Sequence, residues 1–380
     1  DPGQAIELEN FEPDIQGGYR RINGYTKFVN QVIPITSSSA EEPLMVSSFD
    51  NKVLAARGEK IFSSASTQLA IRVASTTSMT GSGSLTVDST TGFSSSGTIQ
   101  IGSELFTYTG VTSNSFTGVT RATSSTTAAA HTTDSSVSED WTTIDTGRTG
   151  AKKYQFERFN FDGNEKIIFV DQVNAPVVFN TSLSATDVSD SSVAGATTVA
   201  AYRNHMFYAG KSTTPQEVVF SEPLNEDGFN SGSGAGSVKV DDTIVALKVF
   251  RNSLFIFCES RIFKLTGSSS ANFVVEPVTR NIGCINSFTV QEFAGDLIFL
   301  GPDGLRTIAA TERIGDTELG TISKNIQSIF DNNIKDSVEF DSIVIPDKTQ
   351  YRIFFNKSGQ AANLSRGATC VLKKDGFEFS

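Results

Sequence analysis

At 380 residues with a net charge of −11 and only 19% charged residues, the chain can bury a large core without disulfide or metal staples, and its charge argues against a general nucleic-acid-binding surface, which needs clustered Lys and Arg. Three cysteines without a Cys-x-x-Cys spacing and only two histidines argue against a zinc or iron site and leave at least one cysteine unpaired. No run reaches the ~18–20 apolar residues of a membrane helix.

The first 74 residues open with Phe11-Glu12-Pro13-Asp14 and Gly17-Gly18-Tyr19-Arg20-Arg21-Ile22-Asn23-Gly24-Tyr25, where Pro, paired Gly and Asn-Gly favour turns. Met45 to Phe49, a turn at Asp50-Asn51 and Val53 to Ala56 read as a hairpin, and Gly58-Glu59 turns into Lys60-Ile61-Phe62. From 75 to 140 Ser, Thr and Gly take over. Short alternating runs at Ser84–Val87, Thr98–Ile101, Leu105–Tyr108 and Ser115–Val119 fit a period of two, so the segment reads as a small inserted β domain and not as a linker.

From 141 to 380 one unit recurs: an apolar run, a turn, and a second apolar run. Asp162-Gly163, Arg203-Asn204, Arg251-Asn252, Ala294-Gly295 and Asp347-Lys348 mark the turn points, at intervals of about 40–50 residues, the period of propeller blades. The copies are Phe156–Phe161 with Lys166–Val170, Thr198–Tyr202 with His205–Ala209, Ile244–Phe250 with Ser253–Cys258, Ser287–Phe293 with Asp296–Leu300, and Glu339–Ile345 with Tyr351–Phe355. Asp50 and Asp162 lie about 110 residues apart, and removing an insert of about 65 restores one blade period. The expected fold is all-β: a β-propeller, discontinuous over 1–74 and 141–380, with the insert at 75–140. One helix is expected, Ser323–Asn333, with Ile326, Ile329 and Phe330 on one face and Ser323 as N-cap. Twenty-nine Phe residues suit broad contacts between blades.

Chemistry is sparse. Gly232-Ser233-Gly234-Ala235-Gly236 lacks the Gly-Lys-Ser/Thr ending of a phosphate loop and reads as a plain loop. Glu222, Glu226 and Asp227, and separately Asp241 and Asp242, could hold a cation or act as a glycosidase pair; the competing reading is solvated loop acids. A propeller glycosidase of the sialidase type would carry Ser-x-Asp-x-Gly-x-Thr-Trp boxes, which are absent, and the single tryptophan, Trp141, stands in another context. No Gly-x-Ser-x-Gly elbow is present, and His131 and His205 are far apart in sequence. Cys258, beside Leu254-Phe255-Ile256-Phe257, reads as a buried thiol. In the insert, Phe93, Phe106, Tyr108 and Phe116 are the aromatics available to stack on a sugar, with core packing the alternative.

The run Asp1-Pro2-Gly3-Gln4-Ala5-Ile6-Glu7-Leu8-Glu9-Asn10-Phe11-Glu12-Pro13, followed by Gly17 to Tyr25, resembles the start of phage virion proteins, including many from marine and cyanobacterial phages. The series Tyr202–Pro223, Val249–Gly267 and Gly283–Arg306 resembles the propeller of tail hub or nozzle proteins of short-tailed phages. Gly97 to Gly102, Phe106 to Gly110 and Gly118 to Arg121 are similar to modules of phage structural proteins. The chain starts without Met and stops at Phe377-Glu378-Phe379-Ser380, in what reads as mid-strand, and is expected to be part of a longer protein. The resemblance implies a non-enzymatic virion subunit in the phage tail, without cofactor or metal. It would form a homo-oligomer, six copies by family analogy, around a channel that ejects DNA without binding its sequence. Its partners would be tail adaptor and fibre proteins, and Glu222, Glu226, Asp227, Asp241 and Asp242 would be lumen or interface acids. The rival readings are a receptor-binding or fibre-attachment protein with a glycan-binding insert, and a propeller glycosidase.

Overall fold

The computed structural model describes residues 11–13, 18–22, 33, 42–64, 71–72, 83–91, 93, 95–123, 126–309, 322–323, 326–327, 331, 337–357, 366–373 and 376–379. The chain is a β-propeller with a small inserted β domain, built from successive antiparallel sheets. Blade 1 comprises Pro43–Phe49, Lys52–Arg57, Lys60–Ser63 and, from beyond the insert, Thr142–Thr146. Blade 2 is Gln155–Phe159, Lys166–Val170, Val177–Asn180 and Ala185–Asp187. Blade 3 is Thr198–Tyr202, His205–Ala209, Glu217–Phe220 and Gly236–Lys239. Blade 4 is Ile244–Phe250, Ser253–Cys258, Ile262–Thr266 and Val274–Thr279. Blade 5 has three strands among the described residues, Gln291–Phe293, Asp296–Gly301 and Gly304–Thr307. Blade 6 is Ser337–Ile345, Gln350–Lys357, Arg366–Lys373 and Gly376–Phe379.

Two compact units divide the chain. One holds Asp1–Gly24, Tyr154–Asn180 and Thr186–Ser380; the other holds Tyr25–Lys153 and Thr181–Ala185. In the first, blades 2 to 6 stack in sequence order, with an apolar layer at each seam. Phe159, Ile168 and Val170 meet Val199, Met206 and Tyr208. Phe207, Val218 and Phe220 meet Leu254, Ile256 and Leu265. Phe255, Phe257 and Ile262 meet Leu297 and Phe299. Ile298, Leu300 and Leu305 meet Phe340, Tyr351 and Ile353. Second strands such as Ser253–Cys258 feed the layers on both faces, so they read as unbroken apolar runs.

In blades 1, 3, 4 and 5 the hairpins joining first and second strands share a pattern, whereas blade 2 turns with Gly163 alone at positive φ and blade 6 through a 3-10 turn at Pro346–Lys348. In those four an aromatic ends the first strand, and two residues in the left-handed region follow. Phe49 precedes Asp50 and Asn51 (φ 45° and 59°), Tyr202 precedes Arg203 and Asn204 (51° and 63°), Phe250 precedes Arg251 and Asn252 (44° and 65°), and Phe293 precedes Ala294 and Gly295 (56° and 75°). This is the type I′ geometry whose twist matches that of the paired strands.

In the second unit the insert folds around Leu85, Val87, Ile99, Ile101, Phe106, Tyr108, Phe116, Val119 and Val137, all buried. Its sheets are Ile71–Arg72, Ser136–Glu139, Gly97–Ile101 and Glu104–Tyr108, and Gly110–Val111, Ser115–Val119 and Gly83–Thr86.

Two expectations shift. Ser287–Phe293 is not one strand: Ser287–Thr289 is a single 3-10 turn and only Gln291–Phe293 pairs. The Asn286 side chain accepts the Phe288 N–H at 2.9 Å, and the Thr289 hydroxyl donates to the Asn286 carbonyl at 2.6 Å, so local side-chain bonds displace the ladder. The expected helix Ser323–Asn333 lies mostly outside the described residues. Ser323 itself is buried, and its hydroxyl accepts the Leu305 N–H at 3.1 Å while the Ile322 N–H reaches the Leu305 carbonyl at 2.8 Å. These bonds cover the outer edge of blade 5. Residues 1–10, 14–17 and 23–25 of the opening run also lie outside the described residues.

Candidate functional site: loop acids and the seams between blades

The five loop acids fall into two groups that the fold keeps apart. The third and fourth strands of blade 3 are antiparallel, so the connections that follow them leave the sheet at opposite ends. Glu222, Glu226 and Asp227 stand at the end of the first hairpin turn, where the Leu224 N–H bonds the Asn204 carbonyl at 2.7 Å. Asp241 and Asp242 stand at the other end, roughly 13 Å of strand away.

Each acid has structural partners. Glu222 accepts Asn225 Nδ2 and the Asn230 N–H, both at 3.1 Å, which folds the Gly-rich loop back on itself. That loop is a 3-10 turn at Ser231–Ser233 capped by Asn230, with Gly234 at φ 99°. Glu226 takes Lys166 of blade 2 at 2.8 Å. Burial pulls the Lys166 ammonium down, but the Glu226 and Asp162 carboxylates outweigh it and hold the lysine above its ordinary value. Asp227 accepts the Ser189 N–H at 3.1 Å. Asp241 pairs with Arg261 on the surface. Asp242 accepts the amides of Thr243 and Ser260 and the Ser260 hydroxyl, each at 2.8 Å, fastening the entry to blade 4 to that blade's second turn.

The same logic runs along the seams. Every first strand lies at the edge of its sheet, with backbone groups that need partners, and for blades 3, 4 and 6 the preceding blade supplies some of them. The Ala201 N–H of blade 3 donates to the Glu157 carboxylate of blade 2; burial pushes that carboxyl above its ordinary range, against the pull of Lys248 and of this N–H. Leu247 of blade 4 donates its N–H to the buried Thr198 hydroxyl of blade 3 at 3.0 Å. Tyr202 of blade 3 donates to the Asn252 carbonyl in blade 4's turn at 2.9 Å, and Arg251 of blade 4 donates to the Gly295 carbonyl in blade 5's turn at 2.5 Å. Gln291 of blade 5 donates to the Ser342 carbonyl of blade 6 at 3.3 Å, and Tyr351 of blade 6 donates to the Thr289 carbonyl at 2.9 Å.

Among the described residues two buried carboxylates, Glu104 and Glu12, gather dense polar networks, and neither shows in any sequence motif. In the insert, Glu104 is fully buried. It accepts Arg121 Nε and Nη2 at 2.9 and 2.7 Å, His131 Nε2 at 2.8 Å, and the N–H groups of Ala129 and Ala122 at 2.8 and 3.2 Å. Burial pushes its pKa up, but the donors led by Arg121 prevail and hold it at about 2. The other is Glu12, fully buried and met by Arg20 at 2.9 Å, Lys348 at 3.1 Å, Gln350 at 3.2 Å and Arg352 at 2.5 Å. Burial raises this carboxyl too, and the bonds from Lys348, Gln350 and Arg20 bring it below the ordinary range.

The insert's aromatics form its core: Phe106, Tyr108 and Phe116 are buried, and Phe93 packs edge-on against Phe116 at 5.0 Å. Phe106, Tyr108 and Phe116 present no stacking face to a sugar, and Phe93 is partly buried. His205 is buried among Phe207, Phe220 and Phe273, with Nδ1 2.6 Å from the Ser221 carbonyl, and His131 belongs to the Glu104 network. Cys258, Cys284 and Cys370 are buried free thiols. Burial pushes Cys284 up to about 12 and the other two above the ordinary thiol range. Among the described residues no group of three His, Cys, Asp or Glu gathers as metal ligands, and no helix is long and apolar enough to cross a membrane.

No protein-family model and no curated protein matches the chain. Among solved structures it is similar to Hsv2 of Kluyveromyces lactis, at 9% identity and a TM-score of 0.39 over 90% of this chain and 98% of that one. It is also similar to Sqt1 of Saccharomyces cerevisiae, at 9% identity and a TM-score of 0.30 over 66% of this chain and 78% of that one.

Proposed function

We propose that the chain is a structural subunit of a virion: a tail nozzle or hub protein of a short-tailed bacteriophage, several copies of which ring a channel through which DNA leaves. The observation that carries this reading is the seam chemistry. Side chains at the turns, edges and loops bond blade 2 to blade 3, 3 to 4, 4 to 5 and 5 to 6, which suits a wall under load and leaves few of these groups for chemistry. The net charge of −11 fits a surface that repels a passing polyanion. Six copies, an adaptor ring above and fibres at the side are the partners that the resemblance of the opening run and of the blades implies.

Antibody raised against the insert, applied to purified particles in negative stain, should decorate the tail. Label on the capsid, or none on particles that contain the protein, overturns the assignment. The receptor-binding alternative requires a sugar platform other than Phe106, Tyr108 and Phe116, which lie in the insert's core.

A further inference from the structure

We draw no further inference here: the strongest candidate, the row of outward hydroxyls that strand register sets side by side on the insert's sheet at Thr98, Thr107 and Thr120, is a polar face of small side chains, and nothing in the structure shows what covers it.

Discussion

Glu104→Gln tests the insert's design most sharply. Folded, the carboxyl is held at about 2 against an ordinary 4.5, so its ionised form contributes ~3 kcal/mol at neutral pH. The sign follows from the lowered pKa. The unfolded chain binds the proton more tightly, so the contribution is complete above pH 4.5 and is lost as pH falls toward about 2. Gln removes the charge and one acceptor lobe, leaving Arg121, whose side chain is 10% exposed, without its counter-ion. Breaking a buried pair in this way costs ~3–5 kcal/mol. Hydrogen exchange in the full chain would read it at the Ala122 and Ala129 amides, which donate to Glu104; both should lose at least about a hundredfold protection. The wild-type decline between pH 4.5 and 2 should flatten in the variant. E104Q/R121M should be less destabilised than E104Q, since it removes the stranded cation. Unchanged protection at both amides, or an unchanged pH profile, would refute the assignment of Glu104 as the insert's hub.

Other seams give further expectations. Gly283→Ala would place a Cβ 2.2 Å from the Glu259 carbonyl oxygen and 2.5 Å from that of Cys258, backbone atoms that cannot step aside; a loss of about 3 kcal/mol in urea unfolding is expected. Thr198→Val strands the buried Leu247 N–H and should cost ~1–3 kcal/mol, whereas Thr198→Ser should recover most of it. Asn252→Gly should be near neutral at φ 65°, while Asn252→Val should cost at least ~1 kcal/mol, both read as melting temperature. The buried thiols, with Cys284 raised to about 12, stay protonated at pH 8. Ellman's reagent should therefore find none in the native protein and three after unfolding; rapid reaction of one would contradict the burial of Cys258, Cys284 and Cys370.

Local features were legible in the sequence. Arg203-Asn204 and Arg251-Asn252 read as turns because Asn tolerates the left-handed conformation, and their even spacing revealed the blades. The insert's strands showed through the alternation of Leu85, Ile99, Phe106 and Phe116 with polar neighbours. The networks at Glu104 and Glu12 did not show. Their donors stand 17–27 and 8–340 residues away, and an ion cluster has no period to detect. The division of the five acids between two ends of blade 3 was also hidden, because it depends on strand direction: Glu226 and Asp241 are near in sequence, yet a single antiparallel strand, Gly236–Lys239, separates their loops. Ser287–Thr289 misled for the opposite reason. Its composition suits a strand, and the capping oxygen of Asn286 gives its backbone another partner.

Blade 1 takes its fourth strand, Thr142–Thr146, from the far side of the insert, pairing it with Lys60–Ser63. During synthesis the ribosome must therefore deliver the entire insert before that sheet can be completed. At ~5–20 residues per second the three-stranded intermediate waits several seconds with the outer edge of Lys60–Ser63 unpaired, an edge prone to pairing with another nascent chain. An insert that folds promptly, around a carboxylate whose donors all lie within 27 residues, would draw Ser63 and Thr142 together and shorten the search for the closing strand.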